Sequence, residues 1–305
     1  MAEKRAAVID CGTNTFNLLI AEKRSAGWHF ICRRKRVVKL GSGGICNGLI
    51  GDQPAERALK ALQSYRHTLD EYQVTTVKIV GTAALRDAKN GRQLLKSIRE
   101  QTGLSIRLID GLKEAELIWK GVRSAFDIGD ETSLIMDIGG GSTEFILCNR
   151  QKILWKQSFR IGAARLIEQI GFSDPVKRSE IVKLNHFLTS ELQPLLNACI
   201  RFVPGKLIGS SGSFDTFTAM ILKKEGKPPL RTSHYRFNVN AYHALHRLLL
   251  SSTYKERIQM PGMLKMRADM IVPASLLLTF VLRNIGLKEL HLSTYSLKEG
   301  LLSEL

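Results

Sequence analysis

Two stretches of the chain, Val8-Ile-Asp-Cys-Gly-Thr-Asn-Thr-Phe-Asn-Leu-Leu-Ile20 and Ile135-Met-Asp-Ile-Gly-Gly-Gly-Ser-Thr-Glu-Phe-Ile-Leu147, superimpose with Asp10 on Asp137 and Gly12 on Gly139. Each reads as an apolar strand ending in an aspartate, a tight turn of small residues, and a second apolar strand. Glycine in such a turn removes the Cβ that would block an approaching anion, and successive backbone N–H groups form a concavity of positive potential. The chemistry implied is phosphate binding by Asp10, Gly12, Thr13, Asn14 and Thr15 in one copy and by Gly139, Gly140, Gly141, Ser142 and Thr143 in the other. Two such turns facing each other would hold a chain of phosphates. Asp137 and Glu144, flanking the three glycines, are the pair of carboxylates that could hold a charge-neutralising metal ion.

Three further segments carry candidate chemistry. Gly81-Thr-Ala-Ala-Leu-Arg86 follows a strand and precedes a helix, so Thr82 and Arg86 could bond phosphate oxygens, Arg86 through a forked, charge-assisted contact. The plain alternative is a strand-to-helix connection with a solvated arginine. Glu114 lies at the margin of the apolar face that Ala115, Ile118, Trp119 and Val122 form at helical spacing, while Glu116 points away. A carboxylate there, facing a cleft, can serve as a general base toward water; otherwise it is a first-turn acid that favours the helix dipole. Gly209-Ser-Ser-Gly-Ser213 is a third small-residue turn, in which Ser211 and Gly212 could meet another phosphate or simply cap a helix. His29, His67, His234, His243, His246 and His291 show no partner spacing, and no Ser-His-Asp arrangement or nucleophilic cysteine emerges.

The elements that must position these groups alternate between strand and helix, which argues an α/β layered fold. The opening strands run from Val8 toward Val38. Asp52 and Pro54 start a helix over Ala55 to Tyr72, Val77 to Val80 is a strand, Gln93 to Glu100 a helix, Ile106 to Ile109 a strand, and Lys113 to Phe126 a helix. The scheme restarts at Ser133. Asp174-Pro175 is expected to cap one long helical stretch to Cys199, and Lys206 to Gly209 is a strand. Helices follow over Tyr242 to Leu250 and Ala268 to Leu282, then a strand from Leu290 to Ser293 and a terminal helix from Leu297. The internal similarity predicts two related domains, 1–126 and 127–305, with the terminal helix packing back on the first.

The 305 residues carry 45 Lys and Arg against 28 Asp and Glu, a formal charge of +17 that would concentrate polyanions and speed their arrival. The run Arg33-Arg-Lys-Arg36 reads as a charged strand edge. The longest nearly apolar run, Met270 to Leu282, contains Pro273 and is too short to span a bilayer. Lys4 and Arg5 lead straight into a strand with an early aspartate, unlike a signal peptide. Cys11, Cys32, Cys46, Cys148 and Cys199, odd in number and irregularly spaced, are expected as reduced core residues. These features predict a cytoplasmic protein with no membrane partner.

With these residues in hand the chain resembles the exopolyphosphatase and guanosine pentaphosphate phosphohydrolase family of the actin, sugar kinase and Hsp70 superfamily. The match rests on both repeated turns, Gly81-Thr-Ala-Ala-Leu-Arg-Asp-Ala, Gly111-Leu-Lys-Glu-Ala-Glu-Leu-Ile, Arg160-Ile-Gly-Ala-Ala-Arg-Leu, Gly209-Ser-Ser-Gly, Arg267-Ala-Asp-Met-Ile and Ser296-Leu-Lys-Glu-Gly. Asn17 departs from the family's usual Arg or His. The resemblance implies two ribonuclease-H-like (actin-like ATPase) domains flanking a cleft, Glu114 as general base with Arg86 beside the transferring group, and Mg²⁺ on Asp137 and Glu144. The implied reaction is hydrolysis of the terminal phosphoanhydride of inorganic polyphosphate. Guanosine pentaphosphate is the alternative substrate, an acceptor kinase or a non-catalytic polyphosphate sensor less favoured; a homodimer is expected and nucleic acid is not.

Overall fold

The computed structural model describes residues 5–25 and 27–305; Lys4 lies outside them. The chain divides into two compact units, Met1–Gly121 with Leu297–Leu305, and Val122–Ser296. The division falls inside the helix over Gly111–Ala125, a few residues before the boundary expected at 126.

In the first unit β1 (Arg5–Cys11), β2 (Thr15–Arg24) and β3 (Gly27–Val37) form an antiparallel meander. After α1 (Asp52–Glu71) the chain adds β4 (Thr76–Gly81) parallel to β1. Then α2 (Ala83–Asp87) and α3 (Gly91–Thr102) lead to β5 (Arg107–Leu108), which pairs in parallel with β4, and to α4 (Gly111–Ala125). The sheet order is β3-β2-β1-β4-β5. The basic run Arg33–Arg36 lies exposed on the edge strand β3, where charge discourages pairing with another sheet.

The second unit repeats the plan with β6 (Ser133–Ile138), β7 (Thr143–Cys148) and β8 (Ile153–Phe159) as the meander. Next come α5 (Ala163–Ile170), α6 (Arg178–Glu191) and α7 (Gln193–Phe202). Then β9 (Lys206–Ser210) pairs in parallel with β6 and leads into α8 (Gly212–Lys224). After β10 (His234–Arg236), α9 (Val239–Ser251), α10 (Tyr254–Arg257) and α11 (Ile271–Ile285), the chain enters β11 (Leu290–Ser293). The order is β10-β11-β9-β6-β7-β8. β6 is buried along its whole length, which is why Leu134-Ile-Met136 shows no polar alternation. The two α/β units share one ribonuclease-H-like scheme, three antiparallel strands continued by parallel ones.

The terminal helix α12 (Leu297–Leu302) packs on β1. Gly300 permits its approach to α4: an added Cβ would lie 1.8 Å from the Leu117 carbonyl oxygen. Beyond α12, Glu304 bridges Lys113 at 2.8 Å and Lys120 at 2.7 Å, so the chain end clasps the helix that carries Glu114.

Three expectations need correction. The stretch from Asp174 to Cys199 is two helices, because Pro194 has no N–H to donate and the first helix stops at Glu191. Lys177, not Asp174, occupies its N-cap; Asp174 instead accepts from the Tyr254 N–H and from Arg257. The last long helix begins at Ile271 rather than Ala268, behind a 3₁₀ turn over Lys265–Arg267, with Pro273 in its first turn where no intrahelical donor is missed. Cys46 is exposed, beside the buried Ile45 in a glycine-rich loop; the other four cysteines are buried and none forms a disulfide.

Histidines without visible partners in the sequence find them in the fold. His234 and His291 lie 2.8 Å apart, nitrogen to nitrogen, and stack with Phe126. Burial holds His246 down at about 4, with Arg283, His243 and Arg247 acting in the same direction, and His234, His243 and His291 also lie below their ordinary value. A base whose folded value is depressed takes up its proton more readily when unfolded, so this stability is fully present above about pH 6.5 and is lost as pH falls toward 4. For His246 the loss is on the order of 3 kcal/mol at most. Urea midpoints between pH 7 and 4.5 should fall, and His246→Gln should flatten that fall; parallel curves would refute the assignment.

Candidate active site

The two repeated turns close in the same way. Gly12 N–H donates to the Thr15 carbonyl at 3.1 Å and Gly139 N–H to the Ser142 carbonyl at 3.0 Å. A Cβ at Gly12 would come to 3.0 Å from Thr15 O, and one at Gly139 to 2.9 Å from Ser142 O. The N–H groups of these two glycines are therefore spent inside the turns, while those of Thr13, Asn14, Gly140 and Gly141 donate to no backbone carbonyl among the described residues. Both turns sit at the carboxyl end of a strand, next to a parallel neighbour, the position at which open α/β sheets bind ligands.

The first turn is pinned from below by Val38 and Lys39, whose N–H groups both donate to Asn14 O at 2.9 Å. Asn14 Nδ2 is buried with no hydrogen-bond partner. A buried amide left this way costs about 1–3 kcal/mol, which an anionic ligand oxygen would recover. Thr13 and Thr15 are buried beside it. Asp10 stands opposite Asn17 in the β1/β2 register and accepts its Nδ2 at 3.0 Å.

Arg86 and Glu114 share the first unit with this turn. Thr82, at the end of β4, donates its N–H to Cys11 O, tying its loop to β1. One turn on, Arg86 Nη1 lies 3.3 Å from Glu114 Oε2 and 3.4 Å from Ile109 O, and Nε lies 3.1 Å from Asp87 Oδ1. Glu114 is buried in the first turn of α4, whose start Asp110 caps by accepting the Lys113 N–H. The helix N-terminus and the Arg86 guanidinium both set positive potential beside this carboxylate. Glu116, on the other side, is pulled down to about 2 by Lys120 and Lys113.

The second turn differs in what stands opposite its aspartate. Asp137 and Glu144 are register partners, so two carboxylates occupy the place of Asp10 and Asn17. Glu144 accepts from Ser158 Oγ at 2.6 Å. Asp137 Oδ2 accepts from Ser210 Oγ at 2.5 Å and Ser296 Oγ at 2.6 Å. No group of three or more His, Cys, Asp and Glu converges among the described residues. Two facing carboxylates without a closed cage do fit magnesium, which keeps several waters and takes further ligands from phosphate.

The glycine turn is held from behind by α5. The N–H of Ala163 donates to Gly139 O, those of Ala164 and Arg165 to Gly140 O, and buried Arg165 Nε donates to Gly141 O at 3.0 Å. With the carbonyls of the turn drawn to that side, its N–H groups are left for the other. Thr143 Oγ1 is used to fix the turn, donating to Ile161 O. Gly162 makes the approach possible, since a Cβ there would lie 2.4–2.5 Å from the Gly140 and Gly141 backbone.

Ser211 and Gly212 lie where Gly81 and Thr82 lie in the first unit, just past the strand parallel to the turn strand. Ser211 has φ 76° and ψ 175°, a region that essentially only glycine adopts, and donates Oγ to Ile138 O. Such strain costs about 1–3 kcal/mol and collects at functional sites. Arg267 packs its guanidinium on Gly212, where a Cβ would meet Nη2 at 2.3 Å. Burial pushes Arg267 below its ordinary value, against Asp215, Asp137 and Asp269, and its Nε has no partner.

Sequence reasoning assigned no role to Gly162, Arg165, Ser210, Arg267 or Ser296. All five stand in segments that carried the family resemblance, Arg160–Leu166, Gly209–Gly212, Arg267–Ile271 and Ser296–Gly300. Only the fold shows what each touches.

A profile of the Ppx/GppA phosphatase family matches residues 19–305. Among curated proteins the chain is 29% identical to a bifunctional 3-dehydroquinate synthase/phosphatase of Fusobacterium nucleatum, over 92% of this chain and 43% of that one. The chain thus spans less than half of that relative. It is 27% identical to Exopolyphosphatase 2 of Mycobacterium tuberculosis, over 99% of this chain and 98% of the other. Among solved structures, an exopolyphosphatase from Cytophaga hutchinsonii matches with a TM-score of 0.96 and 40% identity, covering 98% of this chain and 97% of that one. The Aquifex aeolicus PPX-GPPA enzyme, at 24% identity and TM-score 0.80 over 99% of both chains, shares the fold.

Proposed function

Because the chain belongs to the Ppx/GppA phosphatase family, we propose that it hydrolyses the terminal phosphoanhydride of inorganic polyphosphate and releases orthophosphate. The observation that carries this reading is the repeated turn, closed by the same hydrogen bond in both units and paired with two carboxylates in only one. Such a pair of cradles suits a substrate that is itself a repeat of phosphates.

Phosphoryl transfer asks for positioning and charge neutralisation more than for covalent help. In this reading the N–H groups of Gly140 and Gly141, with Thr13, Asn14 and Thr15, hold the scissile and neighbouring phosphates, and Thr82, Ser211 and Gly212 support them. Glu114 accepts a proton from water, whose oxygen attacks the terminal phosphorus. The bridging P–O bond breaks, and the shortened chain leaves with the electron pair. Arg86 stabilises charge on the transferring oxygens. Asp137 and Glu144 would hold magnesium, which when bound supplies positive charge to the phosphate oxygens. No described helix is long and apolar enough to cross a membrane, and work on a polyanion in the cytoplasm is part of the proposal.

One observation favours the second substrate. One turn beyond Ser211 and Gly212, Asp215, Thr218, Ala219 and Leu222 line a cavity of about 300 Å³, and Thr218 Oγ1 is buried without a partner. That is room for the base of guanosine pentaphosphate.

The test is orthophosphate release by the purified protein with Mg²⁺ from short polyphosphate, long polyphosphate and guanosine pentaphosphate. Polyphosphate is expected to be cleaved fastest; faster release from the nucleotide favours the second reading, and binding without turnover would make the protein a sensor. With a charge of +17, raising salt from about 50 to 200 mM should increase KM severalfold and leave kcat nearly unchanged.

A further inference from the structure

We propose that the groove between α6, α9 and α11 of the second unit binds a phosphate monoester whose organic body lies on an apolar floor. Two cavities, of about 460 and 500 Å³, share His246, Arg247 and Arg283 in their walls. Each is of the size that small-molecule sites have. Among the described residues no aspartate or glutamate lines either one. Neither Arg247 nor Arg283 forms an ion pair among the described residues, so their charges are left for a ligand.

His246 is the built part of the site. It is 6% exposed, and its Nδ1 lies 2.7 Å from Ser275 Oγ. Ser275 belongs to a fixed chain: Tyr242 OH donates to Ser275 O at 3.1 Å and lies 3.1 Å from Thr279 Oγ1. Nδ1 is thereby engaged by the Ser275 hydroxyl, and the ring nitrogen left over is Nε2. That nitrogen makes no hydrogen bond among the described residues and belongs to a ring that walls both cavities. A buried imidazole beside two guanidiniums that have no ion pair among the described residues makes a site for an anion.

The floor decides which anion. One cavity is lined by polar residues, Asn240 and His243 beside the shared three. The other adds Ile181, Leu250, Leu276 and Phe280. A phosphate head in the first and an apolar or planar body over the second uses both; an inorganic chain would leave the hydrocarbon floor unused. None of these residues takes part in the phosphate turns, so the proposal stands apart from the catalytic reading.

Titration calorimetry without divalent metal, with phenyl phosphate, AMP, orthophosphate and tripolyphosphate as probes, tests it. Phenyl phosphate and AMP should bind more tightly than orthophosphate, and tripolyphosphate, which the phosphate turns are proposed to hold, should bind the double arginine variant as it binds wild type. Arg247→Ala and Arg283→Ala should each weaken the monoesters about tenfold or more, whereas Asp137→Asn should leave their affinity unchanged and so exclude binding at the turns. Both arginines are exposed, so their replacement should spare the fold, and orthophosphate release from polyphosphate by Arg283→Ala should match wild type. The proposal is overturned if the monoesters fail to bind at about 5 mM, if the double arginine variant binds them as wild type does, or if orthophosphate binds as tightly as phenyl phosphate.

Discussion

Glu114→Gln should lower kcat for phosphate release by a factor on the order of 10² or more, with substrate affinity retained. The amide keeps the shape and burial of the side chain but cannot accept a proton from the attacking water. A loss of that size raises the barrier by about 2.7 kcal/mol. Arg86, 3.3 Å from Glu114 Oε2, complicates the interpretation, because removing the carboxylate also unbalances the guanidinium. Two measurements separate these effects. The acid limb of the kcat profile, where a base is lost by protonation, should vanish in Glu114→Gln, since no titrating base remains. Arg86→Lys, which keeps the charge and loses the fork, should slow turnover while leaving that limb in place. Unchanged turnover in Glu114→Gln would remove the residue from the mechanism and reduce it to a first-turn acid on α4.

Gly162→Ala is the second variant expected to have a large effect, though its side chain would touch no substrate. The added methyl would lie 2.4–2.5 Å from three backbone atoms of Gly140 and Gly141, well inside contact distance and against groups that cannot rotate away. The turn must move, or α5 must, and the bonds from Ala163, Ala164 and Arg165 to its carbonyls break with it. A displacement of about 1 Å in groups that position a reacting phosphate costs up to 10² in rate. We expect kcat to fall at least about tenfold with the circular dichroism spectrum unchanged. Gly205→Ala is the control: its Cβ would meet nothing nearer than Glu131 Oε2 at 3.8 Å, so activity should be kept. Equal activity in both variants would show that the α5 contact does not set the turn.

The repeated turn was legible because its signals are local. Alternation of apolar residues, an aspartate at the strand end and glycines at the bend act within a dozen residues, and hydrogen bonds between adjacent strands follow from them. The alternation of strands with helices, and with it the α/β class, is visible for the same reason. Pro194 shows the limit within one helix: amphipathic spacing from Asp174 to Cys199 looked continuous, yet one missing N–H outweighed it.

What each charged or hydroxyl side chain bonds to was decided by tertiary structure. Arg86 reaches Glu114 across 28 positions, Ser210 reaches Asp137 across 73, and Ser296 reaches the same oxygen across 159. Nothing in their spacing announces these partners, because the parallel pairing of β6 with β9 determines which side chains become neighbours. Gly162 and Arg267 carry the same lesson for packing, since a close approach is a property of two backbones and neither segment contains it alone. Composition and pattern determine which elements form; which atoms meet is determined when sheets order their strands and helices settle upon them, a step driven by burial of surface that has no memory of sequence distance.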